Sequence, residues 1–479
     1  MILLLLAIIV AEVCLRIYPV WKWWLGVDTF YHLKVADEIR KQHRLPETLS
    51  CFLFNGPYAY PPLLHVILTF FRGRAASAVP IICDLTHAGV VFSAAFWLSS
   101  GNLAIGLMSA AVLLSIPINY TDSLSVNPRP LGSLVFTSVI FISLLFPGQF
   151  SIIPLGVLYA LLLMSHKLSS QVSWIVLGAL ALTIPNVTWT IALAVPLGFL
   201  LAIFGSGGFY LRVIREHIGY LRFHVKFGDF YGRKSFTHPL ALLKTDPYLL
   251  ILGLSVVFAK IYYAPLLVWV LSTCTFAFLW RYGDGYRFAS LISGGLSVAI
   301  GLWSTNVIIS GASFLVISFC LWKQATYLRG LGPPFLISSE LVQAFGLIRE
   351  ESNERVLCIP VSYSYACAYF TKKVIVAGDA SLTGLRKGIE LLEMTKTPEG
   401  LKRVIEENQV ELVLLERRVN GQHVEKLMRL GFEEIRNDNS QYGVFRRTPS
   451  VVIRPVQGYD VSLPRDPNQR SSNSVGESN

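Results

Sequence analysis

Asp28 and His32 stand four residues apart in the stretch Gly26 to Leu33. That spacing puts a carboxylate and an imidazole, both groups that exchange protons, on one face of a helix. In the same helix Tyr31, Val35 and Ile39 form an apolar stripe, which is expected to rest on a membrane surface and hold the carboxylate at the bilayer rim. The competing reading makes Asp28 only the N-cap of that helix. A second group of interest is Arg129, set between Pro128 and Pro130 after the polar run Asn119, Tyr120, Thr121, Asp122. A guanidinium there can hold a phosphate by paired charge-assisted hydrogen bonds, or simply reach toward lipid headgroups. Ser165, His166 and Lys167, at the end of another apolar run, offer the same two readings, phosphate ligand or cytoplasmic anchor. Glu12, Asp84 and His87 fall inside apolar runs, where an ionisable group is costly and marks either function or a hydrogen bond between helices.

The elements that must position these groups are set by composition. Of 479 residues, 53% are hydrophobic and 15% charged, against roughly 25% charged in soluble proteins, and the apolar residues are concentrated before residue 325. A water-soluble chain is excluded, and a polytopic α-helical membrane protein is expected. Apolar runs place spans at 2 to 20, 61 to 71, 79 to 99, 102 to 118, 131 to 147, 150 to 165, 171 to 185, 187 to 205, 247 to 260, 262 to 280, 288 to 303 and 305 to 321, about 12 in all with a range of about 10 to 14. Met1 to Val13 lacks a basic start and leads into Arg16 and Trp21 instead of a small-residue cleavage site, so it reads as a retained span. The net charge of +11 belongs in loops facing anionic lipid, and no nucleic-acid partner is needed to explain it. The seven cysteines show no CxxC spacing, and neither a zinc site nor a disulfide framework is read from them.

Two polar insertions interrupt the apolar part, Trp21 to Tyr60 and Ser206 to Asp246. The second carries Arg212, Arg215, Arg222, Lys226, Arg233 and Lys234 interleaved with Tyr210, Tyr220, Phe223 and Phe230, a composition suited to a membrane face. Beyond residue 325 helix and strand patterns alternate, which predicts a small, mostly parallel soluble α/β domain over 326–455. It has no phosphate-loop or dinucleotide fingerprint. Residues 456–479 have the composition of a disordered tail.

The stretch GVDTFYHLKVADEIRKQHRLP, followed by YPPLLHVIL, resembles the first extracytoplasmic loop and second span of the GT-C superfamily of membrane glycosyltransferases. That superfamily includes oligosaccharyltransferases, protein O-mannosyltransferases and aminoarabinose transferases, which use polyprenyl-phosphate or polyprenyl-diphosphate sugars. The family pattern Asp-x-Tyr-Tyr-His-Leu maps onto Asp28, Tyr31, His32 and Leu33, with Phe30 in place of the first Tyr. Asn119 to Gly132 is similar to the second acidic loop, though with fewer acids. Gly283 to Phe288 resembles a Gly-Glu-x-x-Arg-Tyr motif, with Asp284 for Glu and Phe288 for Tyr, and so brings Arg287 forward as a donor-phosphate ligand. The specific motifs cover about a tenth of the chain.

The resemblance implies transfer of a sugar from a polyprenyl-phosphate donor to a lipid, glycan or protein acceptor at the extracytoplasmic face. Asp28 would be the base, with His32 beside it, and Arg129, Arg287, His166 and Lys167 would hold the phosphate. A single carboxylate suits inversion by direct displacement. The oligosaccharyltransferase branch instead implies that Asp28 and Asp122 hold a divalent cation, magnesium or manganese, through oxygen ligands; against that branch, no Trp-Trp-Asp motif is found. The rivals are a lipid or sugar flippase, for which an internal repeat would be expected, and a noncatalytic assembly subunit. One difficulty stands: Asp28 and Arg129 can share a face only if one of the three runs between them fails to cross, and Pro61 to Phe71 is the shortest.

Overall fold

The computed structural model describes residues 1–22, 24–227, 243–244, 246–258, 263–279, 285–331, 336–435 and 441–448. The tail 456–479, Phe230, Arg233, Lys234 and Asp284 lie outside the described residues.

Helices dominate. Among the described residues four of them, Ile2–Lys22 (α1), Gly73–Leu98, Pro185–Gly205 and Val307–Arg329, are long and apolar enough to cross a bilayer. Shorter apolar helices, among them Arg129–Leu145, Ala264–Leu279 and Ala289–Trp303, pack between them. The expected span at 61 to 71 is not one. Only Leu63–Leu68 is helical there, six residues, which at 1.5 Å per residue rise about 9 Å. Prolines at 61 and 62 delay its start. Without this run as a span, residues of the two polar loops, Asp28 from the first and Arg129 from the second, line one cavity.

The expected span 102 to 118 breaks instead into Leu103–Ser115 (α2) and Pro117–Ser123 (α3), bent by 66°. Pro117 has no N–H, so the carbonyls before it lose their helical partners. Buried side chains replace them: Asn119 donates to Leu113 O at 3.3 Å, Arg16 to Leu114 O at 2.6 Å and Gln324 to Ser115 O at 3.1 Å. Arg16 also meets Glu12 and Asp84, each at 2.7 Å, with all three side chains enclosed. His87 bonds Thr137 at 2.8 Å. Of the two readings for Glu12, Asp84 and His87, the hydrogen bond between helices is the one the packing displays.

A six-stranded sheet in the order β2-β5-β4-β6-β8-β7 carries the C-terminal part. Its parallel strands are β2 (Phe52–Phe54), β5 (Val374–Gly378), β4 (Arg355–Ile359) and β6 (Leu412–Glu416), and the hairpin β7 (Phe432–Glu434) and β8 (Tyr442–Arg447) closes it antiparallel. Strand β2 comes from the first polar loop, so a division at 325 does not separate this sheet from the N-terminal part. A short antiparallel pair, Trp24–Leu25 with Leu336–Ile337, makes a second tie. The stripe Tyr31, Val35, Ile39 is buried, and it does not lie on lipid as expected: its helix, Val27–Gln42 (α4), packs on Ser364–Thr371, where Tyr31 meets Tyr365 at 5.3 Å and Phe30 meets Phe370 at 5.3 Å.

Candidate functional site

A cavity of about 710 Å³ opens where the loop after the broken helix, the first polar loop and the segments following β4 and β5 converge. Six residues singled out in the sequence line it: Asp28, His32, Arg129, His166, Lys167 and Arg287. They arrive from separate parts of the chain. Asp28 is exposed on the first turn of α4, and Gly26, with φ of +84°, turns the chain into that helix against Ser125. The two loops are joined further by Val126 N donating to Thr29 Oγ1 at 2.9 Å. Arg129 opens the helix Arg129–Leu145, its backbone N–H accepted by Asn127 Oδ1 at 2.9 Å. Arg287 ends the short turn Gly285–Phe288.

Each group has its own state. Arg129 Nη1 donates to Asp122 Oδ1 at 2.7 Å, with the Arg129 side chain 27% exposed. Asp122 is buried behind it and does not line the cavity. Its Oδ1 accepts from Arg129 and its Oδ2 has no partner among the described residues, where no three His, Cys, Asp or Glu side chains come together around a common point.

His32 is buried and joined through Nδ1 to His65 Nε2 at 2.8 Å, and His65 Nδ1 meets the Tyr58 hydroxyl at 2.8 Å. Burial pulls the His32 pKa down to about 4, against an opposing pull from Asp28, and holds His65 well below the ordinary imidazole range. His32 is therefore neutral at pH 7. His166, between two helices, is also driven down by burial, to about 3, and its Nδ1 bonds Ser169 Oγ at 3.0 Å; it offers a phosphate a hydrogen bond, not a charge. The Lys167 ammonium lies over the rings of Tyr60 at 5.2 Å and Tyr220 at 5.6 Å, a geometry that holds a cation without neutralising it.

The remaining wall was not singled out in the sequence. Ser362, Ser364, Tyr365 and Asp379 come from the loops after β4 and β5. Ligands bind outside the carboxyl ends of strands in open α/β sheets, and that rule would have pointed to them. Asp379 accepts from Ser381 N at 3.0 Å and Gly56 N at 3.3 Å, which fastens the first loop to the sheet. Gln171, His217 and Tyr220 complete the enclosure. The last two stand on Phe209–Phe227 (α5), part of the insertion read as membrane-facing. Its Leu211, Ile218 and Val225 are exposed, while Glu216 accepts from Leu382 N at 2.6 Å.

The arrangement can therefore seat an anion among Arg129, Lys167 and Arg287 with a carboxylate facing it. No protein-family model matches the chain, and no curated protein sequence matches it. Solved structures do. The oligosaccharyltransferase of Archaeoglobus fulgidus, in the apo form, superposes with a TM-score of 0.61 at 11% identity, over 94% of this chain and 75% of that one. ArnT from Cupriavidus metallidurans bound to undecaprenyl phosphate gives 0.61 at 11% identity, over 93% and 97%. The same ArnT in the apo state gives 0.59 at 11%, over 92% and 96%. At this identity the likeness is one of fold, and the fold is GT-C-like.

Proposed function

We propose that this GT-C-like chain is a membrane glycosyltransferase that moves a sugar from a polyprenyl-phosphate donor to an acceptor hydroxyl at the extracytoplasmic face. The observation that carries the reading is the convergence of Asp28 with Arg129, Lys167 and Arg287 on one cavity, from regions far apart in the sequence. A lipid phosphate is a stabilised leaving group, so the chemistry asks for cations at the phosphate and a base at the incoming hydroxyl, with no strong general acid. Lys167 and Arg287 take the phosphate oxygens, and Arg129 adds a guanidinium steadied by Asp122. Asp28 takes the proton as the acceptor oxygen attacks the anomeric carbon and the bond to phosphate breaks. A single carboxylate in this role gives inversion. His32, neutral, stands beside Asp28 on the cavity wall. The undecaprenyl phosphate in the ArnT complex adds support for a polyprenyl carrier, since that fold accommodates one. A lipid or sugar flippase would need no proton acceptor, and that difference sets the test. Purified Asp28→Asn protein should bind undecaprenyl phosphate as the wild type does and transfer sugar from undecaprenyl-phosphate-linked hexoses about 10²- to 10⁴-fold more slowly. Transfer within a few-fold of wild type would refute Asp28 as the base, and function of this variant in cells would favour the flippase.

A further inference from the structure

Among the polar groups around the cavity, Gln171 and His217 are the pair the transfer chemistry leaves unused. Gln171 lies one turn beyond Lys167 on Lys167–Thr183, and His217 one turn before Tyr220 and Leu221 on α5; all five line the cavity, so both helices turn these positions toward it. The two side chains meet at 2.6 Å between Gln171 Nε2 and His217 Nε2. An amide nitrogen only donates, so the His217 Nε2 accepts. Burial, reinforced by the nearby Lys167 charge, pulls His217 down to about 4; the neutral ring then carries its one proton on Nδ1. That Nδ1 and the Oε1 of Gln171 have no partner among the described residues, although both atoms are buried. Buried polar atoms are nearly always paired, and two orphans on a bonded pair of side chains that line one cavity call for a ligand. What they ask for is one hydrogen-bond acceptor and one donor, adjacent. Turning the amide over exchanges the two roles and leaves the same demand.

The position narrows the ligand. Side chains one helical turn apart lie about 5 to 6 Å from each other, so a phosphate on Lys167 brings the ring it carries within reach of Gln171. The polyprenyl chain offers no hydrogen bonds. Sugar hydroxyls offer both kinds. We propose that Gln171 and His217 form the subsite that reads two neighbouring hydroxyls of the transferred hexose, and that they set which sugar is moved. This rests on the glycosyltransferase reading above.

The test uses the full-length protein and a panel of undecaprenyl-phosphate hexoses differing by removal or epimerisation of one hydroxyl, with sugar-free undecaprenyl phosphate as the control ligand. Wild type should favour one member strongly, because a site built to pair a hydroxyl rejects the analogue that lacks it. Gln171→Leu and His217→Phe should each shrink that preference about tenfold or more while sugar-free undecaprenyl phosphate binds within about twofold of wild type; the same binding reports that the variants fold. A preference unchanged in both variants overturns the subsite. So does an equal loss of affinity for the sugar-free lipid, which would make the pair a brace between the two helices. A wild type that neither binds undecaprenyl phosphate nor transfers any hexose refutes the glycosyltransferase reading instead, so the two failures are told apart.

Discussion

Arg16 and Arg129 each meet a carboxylate at 2.7 Å, yet the first side chain is wholly enclosed and spent on Glu12, Asp84 and the Leu114 carbonyl, while the second is 27% exposed and lines a cavity with one carboxylate behind it. Both lie near the same broken helix. Arg16 satisfies backbone that the break at Pro117 would otherwise leave orphaned in an apolar bundle, where such groups cost several kcal/mol each. Arg129 satisfies one partner and keeps donors available. The difference teaches that a charge in an apolar segment is diagnosed by how far it is saturated. A saturated one holds the fold, and a half-saturated one beside a cavity is placed to meet a ligand.

The sharpest way to break this contrast is to remove one member of each group. Asp28→Asn should cost about 10²- to 10⁴-fold in transfer, the range for losing a general base, with no loss of thermal stability. Arg16→Met should do the reverse. Stripping the partner from an enclosed pair of carboxylates costs about 3 to 5 kcal/mol, read as a lower melting temperature in detergent, while transfer per folded molecule stays within a few-fold. The triple change Glu12→Gln, Arg16→Met, Asp84→Asn should recover part of that stability, because the stranded charges go with the guanidinium. If Arg16→Met instead retains its melting temperature and loses transfer, the enclosed group belongs to the site and the contrast fails.

A finer test acts on the seam between the loops. At Gly26 any Cβ would collide with the Ser125 side chain, and its φ of +84° is one that other residues rarely adopt. Gly26→Ala should push the two loops apart and shift Asp28 relative to Arg129. A displacement of about 1 Å costs up to about hundredfold, so kcat should fall while the fold persists. Arg287→Ala should come next, raising the donor KM about ten- to hundredfold through a lost charge-assisted contact, about 1.5 to 3 kcal/mol, with acceptor dependence unmoved. An unchanged donor KM would leave Arg287 as an interfacial anchor.

How far the sequence could be read follows from the range of the interactions involved. The pattern around Asp28, the prolines around Arg129 and the apolar runs are local signals, and they led to residues that meet in one cavity. The failures are long-range. Nothing near Phe52 announces that it pairs with Ile375 as the edge of a sheet, because a three-residue strand has no periodicity of its own. The apolar stripe Tyr31, Val35, Ile39 reads the same whether lipid or the ring of Tyr365 covers it. Asp122 and Arg129, seven residues apart, look like two free charges until the turn at Asn127 folds one onto the other. Gln171 and His217 are unremarkable alone and acquire meaning only as a pair.

The smallest expected effect concerns His32, and its sign separates a structural imidazole from a catalytic one. Free imidazole has a pKa of 6.5, and His32 in the folded chain is held at about 4. Between those values the unfolded chain takes up a proton that the native one refuses. Stability is therefore fully present above about pH 6.5 and is lost as pH falls through about 4. His65, held down in the same direction, steepens the same limb. His32→Gln keeps a polar contact for His65 and removes one titrating ring, so the fall in melting temperature between pH 6.5 and 4 should become shallower without vanishing. The transfer rate should behave differently. A ring already neutral at pH 5.5 has no ionisation to contribute between pH 5.5 and 8, and the rate profiles of wild type and His32→Gln should run parallel there. A limb near pH 6.5 that disappears on substitution would mean that His32 is charged in the working enzyme. Asp28 would then share its proton with the ring, and the line drawn between saturated and half-saturated groups would have to run through the middle of α4.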